Sequence, residues 1–271
     1  MTLHPLGRKV NHDPRSLAYP YVATTTTLAS VTHSRMVPIF DQGSLGSCTG
    51  NAAVGAVGTV PLFASDKVLR TTLDEAFAVK VYSSATLLDD APGAYPPTDT
   101  GSDGLSVAKV CKSLGLISGY THCFSLAAVQ TALQTTPIII GINWYSGFDS
   151  PDANGLVKVS GTVRGGHEVC LVAIDVVAKT VTAANSWGSS WGAAGYFTFS
   201  WADLQRLLSE QGDATVLLPL TAPAPIPVPV PTPSTADAVL AVALHKWLDG
   251  SPWFYHPMQA SARAWLTSKN L

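Results

Sequence analysis

Apolar residues in the first half of the chain recur at helical spacing. The pattern predicts helices over three segments: 48–64, 104–114 and 126–133. The first segment is apolar on nearly every side, so we expect that helix to be buried. The second is amphipathic and is expected to end at Gly115, because glycine readily adopts the backbone conformation that closes a helix.

After these segments the pattern changes to short runs typical of β-strands, which are separated by turn residues. These predicted strands cover 137–143, 167–177, 180–185 and 195–199. Helices followed by strands favour an α+β fold with two segregated halves. A cleft between such halves is a favoured place for an active site. Residues 1–36 are polar and rich in turns, and we expect this lead-in to wrap the surface.

A proline-rich segment ends the main body, which we assign to residues 37–218. Residues 219–233 contain seven prolines in fifteen positions, which predicts a polyproline II linker. Residues 234–271 then form a predicted helical tail with three tryptophans: Trp247, Trp253 and Trp265. A segment this short cannot bury them alone. The tail is therefore expected to dock on its own body, on a second copy, or on another protein or ligand.

Composition excludes several classes of protein. Of the 271 residues 46% are hydrophobic and 13% are charged, which rules out disorder over most of the length. The net charge of −2 gives no basic face, so nucleic acid is not an expected partner. No apolar run approaches the roughly 18 residues of a membrane helix, so no membrane is expected. The N-terminal residues lack an apolar core, and we expect no signal peptide.

Metal and cofactor motifs are not evident. The four cysteines show no CxxC spacing, and the seven histidines show no HExxH spacing, so a zinc site is not predicted. Neither a GxxxxGK[ST] loop nor a GxGxxG turn between a strand and a helix occurs. We therefore predict no cofactor.

Three separated segments bring together residues suited to nucleophilic catalysis. They read DQGSLGSC at 41–48, GGHEV at 165–169 and NSWGSSWGAAGY at 185–196. Cys48 is expected at the N-terminus of a buried helix, where unpaired N–H groups lower a thiol pKa. A histidine such as His167 can carry the proton, and the amide oxygen of Asn185 can orient its ring. Gln42 and the Cys48 N–H can donate to a tetrahedral oxyanion.

These segments resemble the motifs of papain-like cysteine peptidases. The first is similar to DQGxCGSCW, the second to the histidine strand, and the third to NSWGxxWGxxGY over all twelve positions. The resemblance covers about residues 36–205 and implies a two-lobed fold with a helical lobe, a β-barrel-like lobe and a cleft between them. It implies that Cys48 is the nucleophile, His167 the general base and acid, Asn185 its orienter and Gln42 the oxyanion donor.

The resemblance also implies residues that contact substrate: Gly104, Leu105, Glu168 and Trp187. Trp187 matches the indole that shields the His–Asn hydrogen bond. Glu168 replaces the small residue usual after the histidine, next to a substrate pocket. Our hypothesis is that Glu168 makes this pocket accept a basic side chain. The alternative is a solvated carboxylate at a strand edge, because strand residues alternate between faces.

Several positions depart from the family pattern. Leu45 and Ser102 stand where many members have two bridged cysteines, and Thr49 replaces the usual tryptophan. This form of the first motif is similar to that of bacterial and phage members of the family. With about forty residues before the first motif, a separately folded pro-domain is not expected.

The remaining cysteines and acids are given structural roles. We expect Cys170 to be buried and inert, and Cys111 and Cys123 to be free, although a bridge between these two stays open without a secretion signal. Four acids are expected to be solvated, with no paired-carboxylate site: Asp74, Glu75, Asp89 and Asp90.

The predicted function is hydrolysis of peptide bonds in a polypeptide substrate, by a thiol endopeptidase. Two alternatives stay open. One is a virion- or assembly-associated structural protein that uses the tail, 234–271, as an anchor or for self-association. The other is a hydrolase of cross-link peptides in a cell wall. The expected location is the cytoplasm or a phage particle.

Overall fold

The structure is a computed structural model that describes residues 4–22, 27–220 and 265–266. The chain divides into two compact units, Met1–Ala222 and Pro223–Leu271. The helices of the first unit are α1 Cys48–Val57, α2 Asp66–Leu69, α3 Glu75–Ala85, α4 Gly104–Ser113, α5 Leu126–Ala132 and α6 Trp201–Ser209, with 3₁₀ turns at Pro14–Ala18 and Ser146–Phe148. Its strands are β1 Val31–Thr32, β2 Gly119–His122, β3 Ile138–Tyr145, β4 Val163–Asp175, β5 Thr180–Ala184, β6 Tyr196–Ser200 and β7 Asp213–Leu218.

Helix α1 is the buried helix that the sequence predicts, but it is shorter. All ten residues are buried, and the helix ends at Gly58, whose N–H bonds back to the last turn. Gly50 lets α1 pack closely against α3, because a Cβ at position 50 would lie 2.3 Å from the Ala78 carbonyl oxygen of α3. The prediction extended the helix to residue 64, since the apolar pattern continues beyond the glycine.

Side-chain caps determine where the next predicted helices begin. Asp103 accepts a hydrogen bond from the Ser106 N–H at the start of α4, and Ser125 caps α5 in the same way. Helix α4 ends before Gly115, whose φ of +69° suits glycine. Helices α3 and α6 were not predicted, although Asp74 and Ser200 cap them.

Among the described residues the strands form one antiparallel sheet in the order β2-β7-β3-β4-β5-β6. Strand β1 pairs with β4 near the C-terminal end of β4, at Ala173 and Ile174. Each predicted strand is present, and β4 begins earlier than expected because Gly165 and Gly166 lie within it. In the β3–β4 register, Ile142 lies opposite His167 and Gly141 opposite Glu168. Strand β7 was not predicted.

Two hydrophobic cores flank the sheet. One joins α1, α3 and α4 to one face of the sheet through residues such as Val54, Val81 and Val107. The other lies under α5 and α6 and contains Trp144 and Phe197. The expected α+β fold is confirmed, although α5 and α6 pack on the strands of the second core, so the helices are not confined to one half.

The lead-in departs from the expected surface course. Residues 4–9 enter the body, where Arg8 is 4% exposed and its N–H bonds to the Gly166 carbonyl. The predicted linker and tail lie outside the described residues, except for 219–220 and 265–266. In the part of the chain that the structure describes, no helix is both long and apolar enough to span a bilayer.

Candidate active site

Cys48 is the first residue of α1, as the sequence predicts. Its side chain is fully buried. The backbone amides of Glu168, Gly7 and Thr49 lie close enough to its sulfur to lower the pKa of the thiol. Because Glu168 follows His167, these contacts place the sulfur beside the strand that carries the histidine.

His167 lies in β4, next to strand β5, which ends one residue before Asn185. Its Nε2 is 2.7 Å from Asn185 Oδ1, and that oxygen also accepts the Ser186 N–H at 2.8 Å. The other ring nitrogen, Nδ1, is buried and has no hydrogen-bond partner among the described residues. The hydrogen bond to Asn185 thus fixes the ring and leaves Nδ1 available to a thiol or a leaving group.

Two indoles enclose the imidazole. The ring centroids of His167 and Trp187 are 4.9 Å apart, and Trp144 meets His167 edge-on at 4.8 Å. Trp187 is 2% exposed and Trp144 is fully buried. Trp187 was predicted to shield the His–Asn hydrogen bond, whereas Trp144 was missed. The sequence signals Trp144 only as an apolar residue directly after the predicted strand 137–143.

Gln42 is held between the cysteine segment and the asparagine segment. Its N–H bonds to the Ser186 carbonyl at 2.9 Å, and its Oε1 accepts the Ser186 hydroxyl at 2.6 Å. Its Nε2 donates to the Leu45 carbonyl at 2.7 Å. The side-chain amide is therefore oriented by contacts to both segments, and Ser186 is a supporting residue that sequence analysis missed.

Residues 4–9, which we call the N-terminal segment, lie over these groups. The His4 ring stacks on Trp187 with centroids 4.5 Å apart, and Gln42 Nε2 is 3.5 Å from the Pro5 carbonyl oxygen. Gly7 passes so close to Gly46 that a Cβ on Gly7 would lie 1.9 Å from the Gly46 oxygen. This cover contributes to the burial of Cys48, together with the wholly buried helix α1.

Burial controls the protonation of the cysteine and the histidine. It raises the pKa of Cys48 to about 12, against the smaller lowering effect of the backbone amides. It also lowers the pKa of His167 to about 4, although the Asn185 hydrogen bond acts in the opposite direction. The expected low thiol pKa is therefore wrong for the covered site, which holds a neutral thiol and a neutral imidazole.

Three of the four predicted substrate residues lie close together. A Cβ on Gly104 would be 2.7 Å from Glu168 Oε1, and Leu105 lines a cavity together with Asp213. Trp187 lies instead with His167. Glu168 is 1% exposed, so the alternative of a solvated strand-edge carboxylate is wrong.

Buried carboxyl groups are also paired here, against expectation. Burial raises the pKa of Glu168 well above its ordinary value, and the nearby Asp213 charge raises it further. The pKa of Asp213 is raised by the same burial. Asp213 was missed because it is the first residue of the unpredicted strand β7. Its signal in the sequence is only a Gly-Asp turn before an apolar run.

Cys170 has the structural role that was predicted, whereas two of the acids predicted to be solvated accept hydrogen bonds from other side chains. Glu75 is partly buried and accepts a hydrogen bond from Asn51, and Asp89 accepts one from Ser102, so these two are not simply solvated. Cys170 is buried as predicted, and the pKa of its thiol is raised to about 12. Four cysteines are unbridged within the described ranges: Cys48, Cys111, Cys123 and Cys170. In those ranges no group of three His, Cys, Asp or Glu side chains could hold a metal ion.

Comparisons with known sequences agree with the motifs. Residues 95–207 match the family model described as papain family cysteine protease. An uncharacterized peptidase C1-like protein of Acanthamoeba polyphaga mimivirus is 27% identical over 203 residues, which cover 62% of this chain and 65% of the relative. The gamete and mating-type specific protein A of Dictyostelium discoideum is 28% identical over 183 residues, covering 60% and 40%. The chain thus spans less than two thirds of either relative.

Solved structures show the same fold. Xylellain, a cysteine protease from Xylella fastidiosa, aligns with a TM-score of 0.64 at 17% identity and covers 79% of this chain and 96% of its own. A digestive procathepsin from the Tenebrio molitor larval midgut aligns with a TM-score of 0.54 at 17% identity, covering 78% and 77%. The predicted two-lobed fold is confirmed, whereas the bacterial or phage type stays a prediction. The chain therefore has the papain-like fold, and its residues 95–207 match the papain family of cysteine proteases.

Proposed function

We propose that this chain is a cysteine endopeptidase in which Cys48 and His167 cleave peptide bonds. The observation that carries the proposal is the His167 ring, which is fixed through Nε2 by Asn185 and leaves Nδ1 unpaired among the described residues. The backbone amide of Glu168, the residue after His167, also lies close to the Cys48 sulfur. A polypeptide is the substrate.

In the first half of the reaction, the thiol proton moves to His167 Nδ1. The thiolate then attacks the peptide carbonyl carbon, and a C–S bond forms while the carbonyl π electrons move to oxygen. Gln42 and the Cys48 N–H donate hydrogen bonds to this oxyanion. As the oxyanion collapses, the C–N bond breaks and His167 delivers its proton to the leaving amine.

In the second half, the acyl group remains on Cys48 as a thioester. His167 takes a proton from water, whose oxygen attacks the thioester carbon. The C–S bond breaks, the acid product leaves, and the sulfur regains its proton from His167. Asn185 contributes by holding the ring in one tautomer and orientation throughout.

A substrate requires the N-terminal segment to leave, because His4, Pro5 and Gly7 lie over the groups that act on it. Departure also removes the burial that keeps the thiol and the imidazole neutral. We therefore expect the two groups to approach a thiolate–imidazolium pair once the segment is displaced.

The test compares Cys48→Ala with Cys170→Ala in the full chain. Cys48→Ala is expected to abolish cleavage of a protein substrate and to unfold at a temperature close to that of the wild type. The matched control, Cys170→Ala, removes a buried thiol outside the site and is expected to retain turnover in its folded fraction. Retained cleavage in folded Cys48→Ala would rule the proposal out.

A second candidate function is anchoring in a viral assembly, with or without cleavage. It is supported by the name of the mimivirus relative, which is a viral protein. The anchor would be residues 234–271, of which the structure describes only 265–266. Capture of one defined partner or of a second copy by the full chain, lost on removal of 234–271, would support it. Cleavage of cell-wall cross-link peptides in preference to casein would instead favour the cell-wall alternative.

A further inference from the structure

A group of carboxyl side chains lies beside the candidate nucleophile. We call it the acidic pocket and define it by the carboxyl groups of Glu168, Asp213 and Asp103. Neither carboxyl oxygen of Glu168 has a hydrogen-bond partner within the described part of the chain. A Cβ on Gly141 would lie 2.8 Å from Glu168 Oε2 and 2.6 Å from Asp213 Oδ2. Glycine at this position therefore leaves the space that the two carboxyl groups occupy.

The pocket is filled by the side chain of Arg8. The Arg8 side chain has no exposed surface, and its Nε donates to Asp213 Oδ2 at 3.1 Å. Its Nη2 pairs with the same oxygen and donates to the Gln211 carbonyl at 2.6 Å. The Arg8 guanidinium thus binds the carboxyl group of Asp213. The carboxyl group of Glu168 has no hydrogen-bond partner among the described residues.

Main-chain contacts hold the residues around Arg8. The Arg8 N–H bonds to the Gly166 carbonyl at 3.0 Å, and the Lys9 N–H bonds to the Ser102 carbonyl at 2.7 Å. The Ser102 N–H in turn donates to the Gly7 carbonyl at 2.9 Å. Such bonds are available to any extended peptide, so the selective element is the side chain in the pocket.

The position of the pocket connects it to the reaction centre. The backbone of Gly7 meets the Cys48 sulfur, and the next residue, Arg8, enters the pocket. Glu168 directly follows His167. A peptide bound along the same path would therefore place in the acidic pocket a side chain one residue away from the residue at the sulfur.

Electrostatics favour a basic occupant. Buried carboxylates without a cation are costly, because the protein interior solvates charge poorly. Burial and the Asp213 charge raise the pKa of Glu168, and the Arg8 charge lowers it. An aliphatic side chain would leave both carboxyl groups without a cation. Arginine also supplies a planar set of donors, which suits several oxygen acceptors better than lysine does.

We propose that the acidic pocket of Glu168 and Asp213 selects an arginine side chain of the substrate, and that Arg8 occupies it as an intramolecular ligand. The substrate class is thus a polypeptide with arginine close to the bond that is cleaved. The part of this inference that concerns cleavage rests on the proposed peptidase function, whereas the part that concerns binding does not.

The binding experiment uses the full chain with Arg8→Ala, which empties the pocket. The probes are a fluorescent synthetic peptide of residues 4–12 and the same peptide with leucine in place of arginine. We expect the arginine peptide to bind at least tenfold more tightly. Adding Asp213→Asn or Glu168→Gln should reduce this ratio severalfold, and the exposed control Asp90→Asn should leave it unchanged. Equal affinities for the two peptides would overturn the inference.

The cleavage experiment separates this inference from the proposed function. Matched peptides with arginine, leucine or glutamate are scanned across the positions that flank the cleaved bond. Arginine is expected to raise kcat/KM at least tenfold at one position relative to leucine. Asp213→Asn should reduce this ratio severalfold, whereas the exposed control Asp90→Asn should leave the ratio unchanged. Cleavage with no arginine preference would overturn the inference alone. Selective binding of arginine without any cleavage would overturn the peptidase proposal alone. Thermal unfolding of each variant checks its fold, and Glu168→Gln provides an independent test if Asp213→Asn fails to fold.

Discussion

The imidazole of His4 stacks on the indole of Trp187, with ring centroids 4.5 Å apart and ring planes 10° from parallel. Trp187 in turn contacts His167. The N-terminal segment is therefore attached at one end to the aromatic residues around the candidate histidine, and at the other end to the acidic pocket through Arg8. Between these two attachments it covers Cys48, so exposure of the site depends on contacts that can be removed one at a time.

His4→Ala is expected to increase the rate at which iodoacetamide alkylates Cys48. The substitution removes the stacking contact, worth about 0.5–1.5 kcal/mol in typical aromatic pairs, which corresponds to roughly a two- to tenfold gain in the open population. Peptide mass spectrometry measures labelling at each cysteine. Cys111 and Cys170 serve as internal references, because they are buried in the core away from the segment. An equal increase at all cysteines would indicate general loosening instead.

Gly7→Ala should displace the N-terminal segment more completely. A methyl group there would lie 1.9 Å from the Gly46 oxygen, which is backbone and cannot rotate away. The expected result is faster alkylation of Cys48 and, under the proposed function, higher peptidase activity. Gly119→Ala is the matched control, because its new Cβ would meet a leucine side chain at an ordinary 3.5 Å. Unchanged Cys48 labelling in Gly7→Ala would contradict the close packing over Gly46.

Asn185→Ala should reduce kcat/KM less than His167→Ala does. The first removes the 2.7 Å hydrogen bond that orients the ring, at about 1.5–3 kcal/mol or roughly 10- to 150-fold. The second removes the proton carrier, for which a loss of about 10²–10⁴-fold is typical. Steady-state kinetics on one peptide substrate measure both. A larger loss in Asn185→Ala, with its fold intact, would assign the asparagine a direct role.

Trp144→Ala should destabilise the protein by about 3–5 kcal/mol, the usual cost of removing a buried tryptophan. The side chain is fully buried and contacts Trp187, Phe148 and Phe197 as well as His167. Urea unfolding measures the loss. Tyr19→Ala is the control, because that side chain is 61% exposed and its removal should change stability by less than about 0.5 kcal/mol. A cost below 1 kcal/mol for Trp144→Ala would contradict its place in the core.

Glu168→Gln should flatten the pH dependence of stability. The folded pKa of Glu168 lies well above the ordinary 4.5, so above pH 4.5 the folded state holds a proton that the unfolded state releases. The free energy of unfolding of the wild type therefore falls as pH rises from 4.5 towards the folded pKa, by up to about 1.4 kcal/mol per pH unit.

Glutamine binds no proton, so the variant lacks this contribution, and its free energy of unfolding should rise relative to that of the wild type as pH increases above 4.5. Urea titrations across that range measure the difference. The other charged groups of the pocket, Arg8, Asp213 and Asp103, are retained in both proteins and contribute to both profiles. Parallel profiles would show that Glu168 is ionised in the folded state.

Local pattern predicted much of the scaffold and the candidate catalytic residues. The apolar run after Cys48 predicted a buried helix that begins at the cysteine, and glycine and side-chain caps determined the ends of α4 and α5. The sequence also placed His167 at the start of one predicted strand and Asn185 at the end of the next, and an antiparallel pair brings such ends together.

Only the tertiary structure decided what surrounds those residues. Arg8 and Asp213 are 205 positions apart, and no local pattern relates them. The pKa of Cys48 depends on desolvation by burial in the folded chain, which outweighs the effect of the helix N-terminus that the sequence indicates. Proximity of distant residues and exclusion of water are properties of packing, whereas helix caps, strand alternation and residue chemistry are properties of neighbouring positions in the chain.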